Sequence, residues 1–353
     1  MRVQQLTYGD VRAAAARVAG RTRPAVVSEV DRGVVPTAPG GPLDASGRQD
    51  CRVWLVHEYM QHTGSFKARG AQNFLLAHRE AGTLPDAGLT IASGGNAGLA
   101  CAWAAQQHGV RATVFLPETA PRVKVERLRG YGAEVRLTGS EYAAALAACE
   151  EFASATGALA SHAYAHPLIG AGAGTLLDEV LARVPDLDTV VVSVGGGGLF
   201  AGVAVAAQHH GIRTVGAEPE NCRAWNAGIE AGRPVDVEVA SVAADSLGAR
   251  RTWQGALDAA KHGLVHSVLV TDAEIVAARQ ALWDSRRIAV EHAAATALAP
   301  LLASQDEESG PPSLDGGPLG RAYRPRPGEK VAVILCGSNT DPSDLVGRVP
   351  KAA

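Results

Sequence analysis

Short apolar runs alternate along this chain with longer, Ala-rich stretches whose apolar positions recur at helical spacing. The runs Leu89 to Ala92, Ala112 to Leu116, Val190 to Val194, Thr214 to Ala217 and Val331 to Leu335 predict strands. Between them, Ala97 to His108, Pro121 to Tyr131, Glu141 to Thr156, Leu199 to His210 and Asp272 to Arg286 predict helices. Pro121 suits a first helical turn, where its missing N–H is not needed. Strand and helix in alternation mark βαβ units around parallel strands, so the expected fold class is α/β. The segment 65–160 carries its own series of strands and helices and is expected to form a small mobile domain, with 1–64 and 161–353 forming a larger one. Ser304 to Glu329, rich in Gly, Pro and acidic residues, reads as a surface loop without secondary structure.

Composition narrows the class without naming a chemistry. At 353 residues, with 46% hydrophobic residues, 20% charged and a formal net charge of -3, the chain is an ordinary globular protein with room for two domains. Nothing in that balance points to nucleic acid or an anionic membrane surface. The opening residues lack the apolar core of a signal peptide, and no stretch nears the roughly 20 apolar residues of a spanning helix, so a cytoplasmic protein is expected. Cys51, Cys101, Cys149, Cys222 and Cys336 are widely spaced and form no C-x-x-C pair, which fits reduced thiols rather than zinc or a redox dithiol.

Four segments carry candidate chemistry, each beside a predicted element where groups converge at the mouth of a parallel sheet. In Thr63-Gly64-Ser65-Phe66-Lys67-Ala68-Arg69-Gly70, an amine at Lys67 is placed to form a Schiff base with an aldehyde cofactor, with Phe66 near its ring. A solvated lysine at a helix start accounts for the same residues. In Ala92-Ser93-Gly94-Gly95-Asn96-Ala97-Gly98, a strand turns into a helix, so free N–H groups together with Ser93 and Asn96 suit a carboxylate or a phenolic oxygen. A plain turn and N-cap would look alike. Gly195, Gly196, Gly197 and Gly198, followed by Leu199, expose a row of amides at a helix start and suit a single phosphate. Gly196, Gly198 and Ala201, with Glu218 further on, also satisfy a dinucleotide fingerprint. That nicotinamide reading leaves the first two segments unexplained. Finally, Cys336 in Leu335-Cys336-Gly337-Ser338-Asn339 either is a small buried hydrophobe or meets a ring nitrogen with a neutral thiol.

Jointly, from about Arg23 to Leu345, these segments resemble the tryptophan-synthase-β-type family of pyridoxal-phosphate enzymes and, within it, the serine/threonine dehydratases. The resemblance implies a two-domain, parallel-sheet three-layer sandwich binding pyridoxal 5'-phosphate. It implies Lys67 as cofactor lysine and general base, and Ser93 as a further catalytic residue, with Ser93, Gly94, Gly95, Asn96 and Ala97 on the substrate carboxylate. Phe66, Asn96, Gly195 to Leu199, Glu291 and Cys336 would hold the cofactor, Cys336 facing the pyridine nitrogen. The implied reaction is β-elimination of the hydroxyl of serine, threonine or a related 3-hydroxy amino acid, giving a 2-oxo acid and ammonia. A β-replacement enzyme of the cysteine synthase type is the nearest rival, and a non-catalytic ligand sensor shares the fold. Racemases of the family carry a second serine where this chain has Gly94, which argues against racemisation. Relatives that bind a cation pair the counterpart of Glu218 with an aspartate six residues on. Ala224 stands there, which argues against a metal. A homodimer is expected by the same likeness.

Overall fold

Two sheets organise the chain. The structure is a computed structural model that describes residues 5–31, 51–302, 319–320 and 323–346. Its strands are β1 (Val27–Glu29), β2 (Arg52–Val56), β3 (Leu89–Ala92), β4 (Ala112–Leu116), β5 (Glu134–Leu137), β6 (Leu159–Ala160), β7 (Thr189–Ser193), β8 (Arg213–Pro219), β9 (Val265–Val270), β10 (Leu319–Gly320) and β11 (Lys330–Ile334). The helices that matter below are α1 (Tyr8–Val18), α2 (Lys67–Glu80), α3 (Asn96–Gln107), α4 (Arg122–Gly130), α5 (Tyr142–Thr156), α6 (Pro167–Leu181), α7 (Gly198–His209), α8 (Ala224–Ala231), α9 (Ala244–Leu247), α10 (Gln254–Ala260), α11 (Asp272–Arg286) and α12 (His292–Thr296).

The larger sheet runs β1-β2-β11-β7-β8-β9-β10 and is parallel except for the antiparallel β1/β2 pair. At its centre β7 reads Thr-Val-Val-Val-Ser with every residue buried, as a parallel strand covered on both faces requires. The smaller sheet, β5-β4-β3-β6, is wholly parallel. Its two-residue period sorts the core: Leu89 and Ile91 pack with side chains of α2, α3 and α4, while Ala92 and Phe115 pack with Ala145 and Cys149 of α5 on the other face. The α/β class with parallel sheets is therefore as expected.

Two local readings need correction. Pro121 sits at ψ 134, outside α4 as its N-cap, because a helix entered from β4 needs an extended residue before its first turn. Part of the Gly/Pro-rich stretch has structure: β10 pairs with β9, and Tyr323 and Glu329 are buried rather than loop-exposed. The Glu329 carboxylate accepts from the hydroxyls of Thr189 and Tyr323 and from Arg213, three donors that no local pattern announces. The rest of that stretch, 304–318 and 321–322, lies outside the described residues.

Candidate active site

Loops leaving the carboxyl ends of β3, β7 and β11 meet the start of α2, the usual meeting place of ligand groups in a parallel sheet. The segment before α2 is stitched to the loop after β11. Phe66 N donates to Cys336 O at 3.0 Å, Ser338 N donates to Gly64 O at 3.0 Å, and Ser65 and Gly337 form an antiparallel bridge. Lys67 opens α2, and two residues on, the fully buried Arg69 anchors that first turn. Its guanidinium donates to both oxygens of Glu58 at 2.8 Å and to Glu179 at 2.6 and 2.9 Å. So α2 is tied to α6 as well as to the smaller sheet.

The Lys67 amine donates to the Ala163 carbonyl at 2.6 Å and lies 4.8 Å from the centre of the Phe66 ring. Its side chain is partly accessible, and enclosure by the protein pushes the amine from 10.5 down to about 8, against the opposing pull of the Glu291 carboxylate. Cys336 is buried with its Sγ 3.5 Å from Ser193 Oγ, and burial pushes the thiol up to about 12, so it is neutral near pH 7.

Glu291 is the hub of the site. Its carboxylate accepts from Asn96 Nδ2 at 3.0 Å on both oxygens, from Ser246 Oγ at 2.7 Å and from Asn339 N at 2.7 Å. Asn339 in turn donates through Nδ2 to Thr63 O at 2.7 Å and to Asn96 Oδ1 at 2.6 Å, and its Oδ1 accepts from Arg127 of α4 at 2.5 Å. The amide of Asn96 is thus oriented from both ends. Thr63 holds φ 63, an unfavourable left-handed conformation for a β-branched residue, and its carbonyl is what Asn339 grips.

Ser93, Gly94 and Gly95 join β3 to α3, and the first-turn amides of Asn96 and Ala97 have no partner within the helix. Ser93 Oγ accepts from Gly95 N at 3.4 Å. A Cβ on Gly94 would come 2.8 Å from Leu116 Cδ2, so a side chain there displaces Leu116. Gly195 to Gly197 lead into α7, with Gly197 at φ +92. A Cβ on Gly196 would fall within 3.0 Å of the Tyr164 ring, and one on Gly195 would stand 2.9 Å from Leu247 Cα. Only bare backbone fits there, and the amides of Gly198 and Leu199, in the first turn of α7, have no partner within the helix at its positive end.

A model of the pyridoxal-phosphate dependent enzyme family matches residues 40–313. The chain belongs to that family. A human protein named serine dehydratase-like is 37% identical over 299 residues, 81% of this chain and 85% of the relative. L-threonine ammonia-lyase of Geobacter sulfurreducens is 38% identical over 253 residues, 71% of this chain and 62% of the relative. Among solved structures, maize serine racemase matches with a TM-score of 0.80 at 25% identity, covering 97% of this chain and 98% of its own. The fold is therefore that of the tryptophan-synthase-β-type enzymes, and the cofactor is pyridoxal 5'-phosphate. The nicotinamide reading of Gly196, Gly198 and Ala201 is thereby disfavoured.

The residues present fit that cofactor. An all-glycine cradle suits its phosphate, a lysine with a lowered pKa suits its aldehyde, and a neutral thiol suits its ring. Glu218 lies elsewhere. Its two oxygens accept from Trp225 N at 2.8 Å and Asn226 N at 2.7 Å, capping the start of α8, while burial pushes its carboxyl up to about 8. Among the described residues no group of three His, Cys, Asp or Glu is placed to hold a metal ion, and no helix is long and apolar enough to cross a membrane. Ala163, Tyr164, Ser246 and Arg127 escaped the sequence reading because nothing in their local pattern marks them. Asn339 stood inside the fourth segment, and its amide type beside Cys336 was the available signal.

Proposed function

We propose that this protein is an ammonia-lyase that eliminates the β-hydroxyl of serine, threonine or a related 3-hydroxy amino acid, yielding a 2-oxo acid and ammonia. The observation that carries this reading is the Lys67 amine, lowered to about 8 and bonded at 2.6 Å to Ala163 O, next to the Tyr164 that lies against Gly196 and Gly198. When bound, pyridoxal phosphate supplies an aldehyde for amine capture and an electron sink for the carbon losing its proton. Gly195 to Leu199 would hold its phosphate, and Phe66, Asn96, Glu291 and Cys336 would line its ring. The amides from Gly94 to Ala97, with the Ser93 hydroxyl, bind the substrate carboxylate and align its Cα–H bond with Lys67. Lys67 Nζ, steadied by Ala163 O, takes that proton as general base. The hydroxyl leaves with a proton as water, and the released enamine hydrolyses to oxo acid and ammonia.

The buried, neutral Cys336 thiol would leave the cofactor's ring nitrogen largely unprotonated and so a weaker electron sink, which supports elimination over transamination. Gly94 supports it over racemisation, because the space beside it belongs to Leu116 and holds no second hydroxyl. The names of the human and Geobacter sulfurreducens relatives point the same way. In this reading 65–160 form a small mobile domain against 1–64 and 161–353, and the working form is a cytoplasmic homodimer. The test is a panel of 3-hydroxy amino acids assayed for oxo acid and ammonia. Lys67→Ala is expected to abolish both products while leaving the fold intact, and a variant with full activity would refute the proposal.

A further inference from the structure

One buried hydroxyl beside the glycine loop has no role in the chemistry described so far. Thr252 is 3% exposed, and its Oγ1 has no hydrogen-bond partner. Leaving a buried hydroxyl unpaired is unfavourable, and valine would fill nearly the same volume without that penalty. The segment is docked on the loop, since Trp253 N donates to Gly196 O at 3.0 Å. The side chain is also turned in a particular sense. Its methyl Cγ2 lies 3.0 Å from where a Cβ on Gly228 of α8 would stand, whereas its Oγ1 lies 3.2 Å from where a Cβ on Gly197 would stand. The apolar end thus lies toward α8 and the polar end toward Gly197 of the cradle, beside Ala256 of α10.

We infer that Thr252 donates its hydroxyl hydrogen to the phosphate of the cofactor, adding a neutral side-chain donor to the backbone amides of the loop. The inference rests on the proposed seating of that phosphate on Gly195 to Leu199. A hydroxyl unpaired in the apoprotein finds its acceptor only when the phosphate arrives, so removing it acts with opposite signs on the two forms. The apoprotein is relieved of an unpaired group, and the loaded protein loses a bond to an anion.

The experiment compares the parent protein with Thr252→Val and Thr252→Ser. Each is freed of cofactor, titrated with pyridoxal phosphate and separately with pyridoxal by absorbance, and unfolded in urea as apoprotein. Thr252→Val is expected to bind pyridoxal phosphate roughly tenfold or more weakly, Thr252→Ser within about threefold of the parent, and pyridoxal equally in all three. The Thr252→Val apoprotein is expected to be at least as stable as the parent. A Val variant that binds pyridoxal phosphate as tightly as the parent, or loses pyridoxal in proportion, overturns the inference. So does a Ser variant as weak as the Val one, or a Val apoprotein that unfolds more readily. A parent that does not prefer pyridoxal phosphate over pyridoxal overturns the phosphate seat itself, and the inference with it.

Discussion

Adding one methyl group to the glycine loop tests whether the loop is glycine because of what lies against it. In Gly196→Ala the new Cβ would stand closer than 3.0 Å to Cγ, Cδ1 and Cδ2 of Tyr164. Carbon atoms rest at about 3.5–4.0 Å, so the ring must retreat by at least about 0.5 Å. It is not free to do so. Tyr164 donates its hydroxyl to Arg251 O at 3.1 Å and its N–H to His162 Nδ1 at 3.1 Å, and its neighbour Ala163 holds the Lys67 amine at 2.6 Å. Overpacking of this kind costs about 1–3 kcal/mol, against which the reduced freedom of the unfolded chain returns about 0.4–1 kcal/mol. The net expectation is a loss of about 1–2 kcal/mol in urea unfolding of the apoprotein. The decisive measurement is a cycle with Tyr164→Ala, since the unfolded-state term is common to both backgrounds and cancels. If the ring is the obstacle, Gly196→Ala should be milder by about 1 kcal/mol or more once the ring is gone. Equal losses in the two backgrounds, within about 0.3–0.5 kcal/mol, would refute the steric account.

Three further outcomes follow from the same contacts. Only the neutral amine attacks an aldehyde, so with Lys67 at about 8 rather than 10.5 the rate of cofactor capture by the apoprotein should climb with pH and level off above 8. Because the folded value lies below the unfolded one, the unfolded chain binds more protons between those values and this group makes stability rise with pH across that window. A capture midpoint near 10.5 would show a fully solvated amine. Glu58→Ala leaves the buried Arg69 guanidinium with Glu179 as its remaining carboxylate, and urea unfolding should report a loss of about 3–5 kcal/mol; a change under about 1 kcal/mol would mean that water replaces Glu58 at little cost. Asn339→Ala frees the Asn96 amide at one end, so kcat/KM for the hydroxy amino acid should fall about tenfold with cofactor retained, and an unchanged value would show that Glu291 alone orients Asn96.

Legibility followed how local the determining forces are. The helix Asp272–Arg286 was readable to the residue because Thr271 and Glu274 form a capping box and the apolar period does the rest. By contrast β1, β2, β5, β6, β9 and β10 were not named as strands. Of these β1, β5, β6 and β10 are short edge strands, and β5 buries none of its four residues fully, so no apolar run betrays them, whereas β2 and β9 lie inside the larger sheet and are mostly buried.

By itself, the sequence determined the alternation that makes a parallel α/β fold, the strand-to-helix turns rich in glycine, and the residue types able to meet an aldehyde, a carboxylate and a phosphate. These depend on neighbours a few positions apart, where backbone sterics and hydrophobic period act. Tertiary structure alone decided that Asn339 grips Asn96 across 243 positions, that Arg69 pins α2 to Glu179, and that Tyr164 and Thr252 close on the glycine loop. Such contacts join residues that become neighbours only when the strand ends converge, and no periodicity along the chain encodes a distance in space.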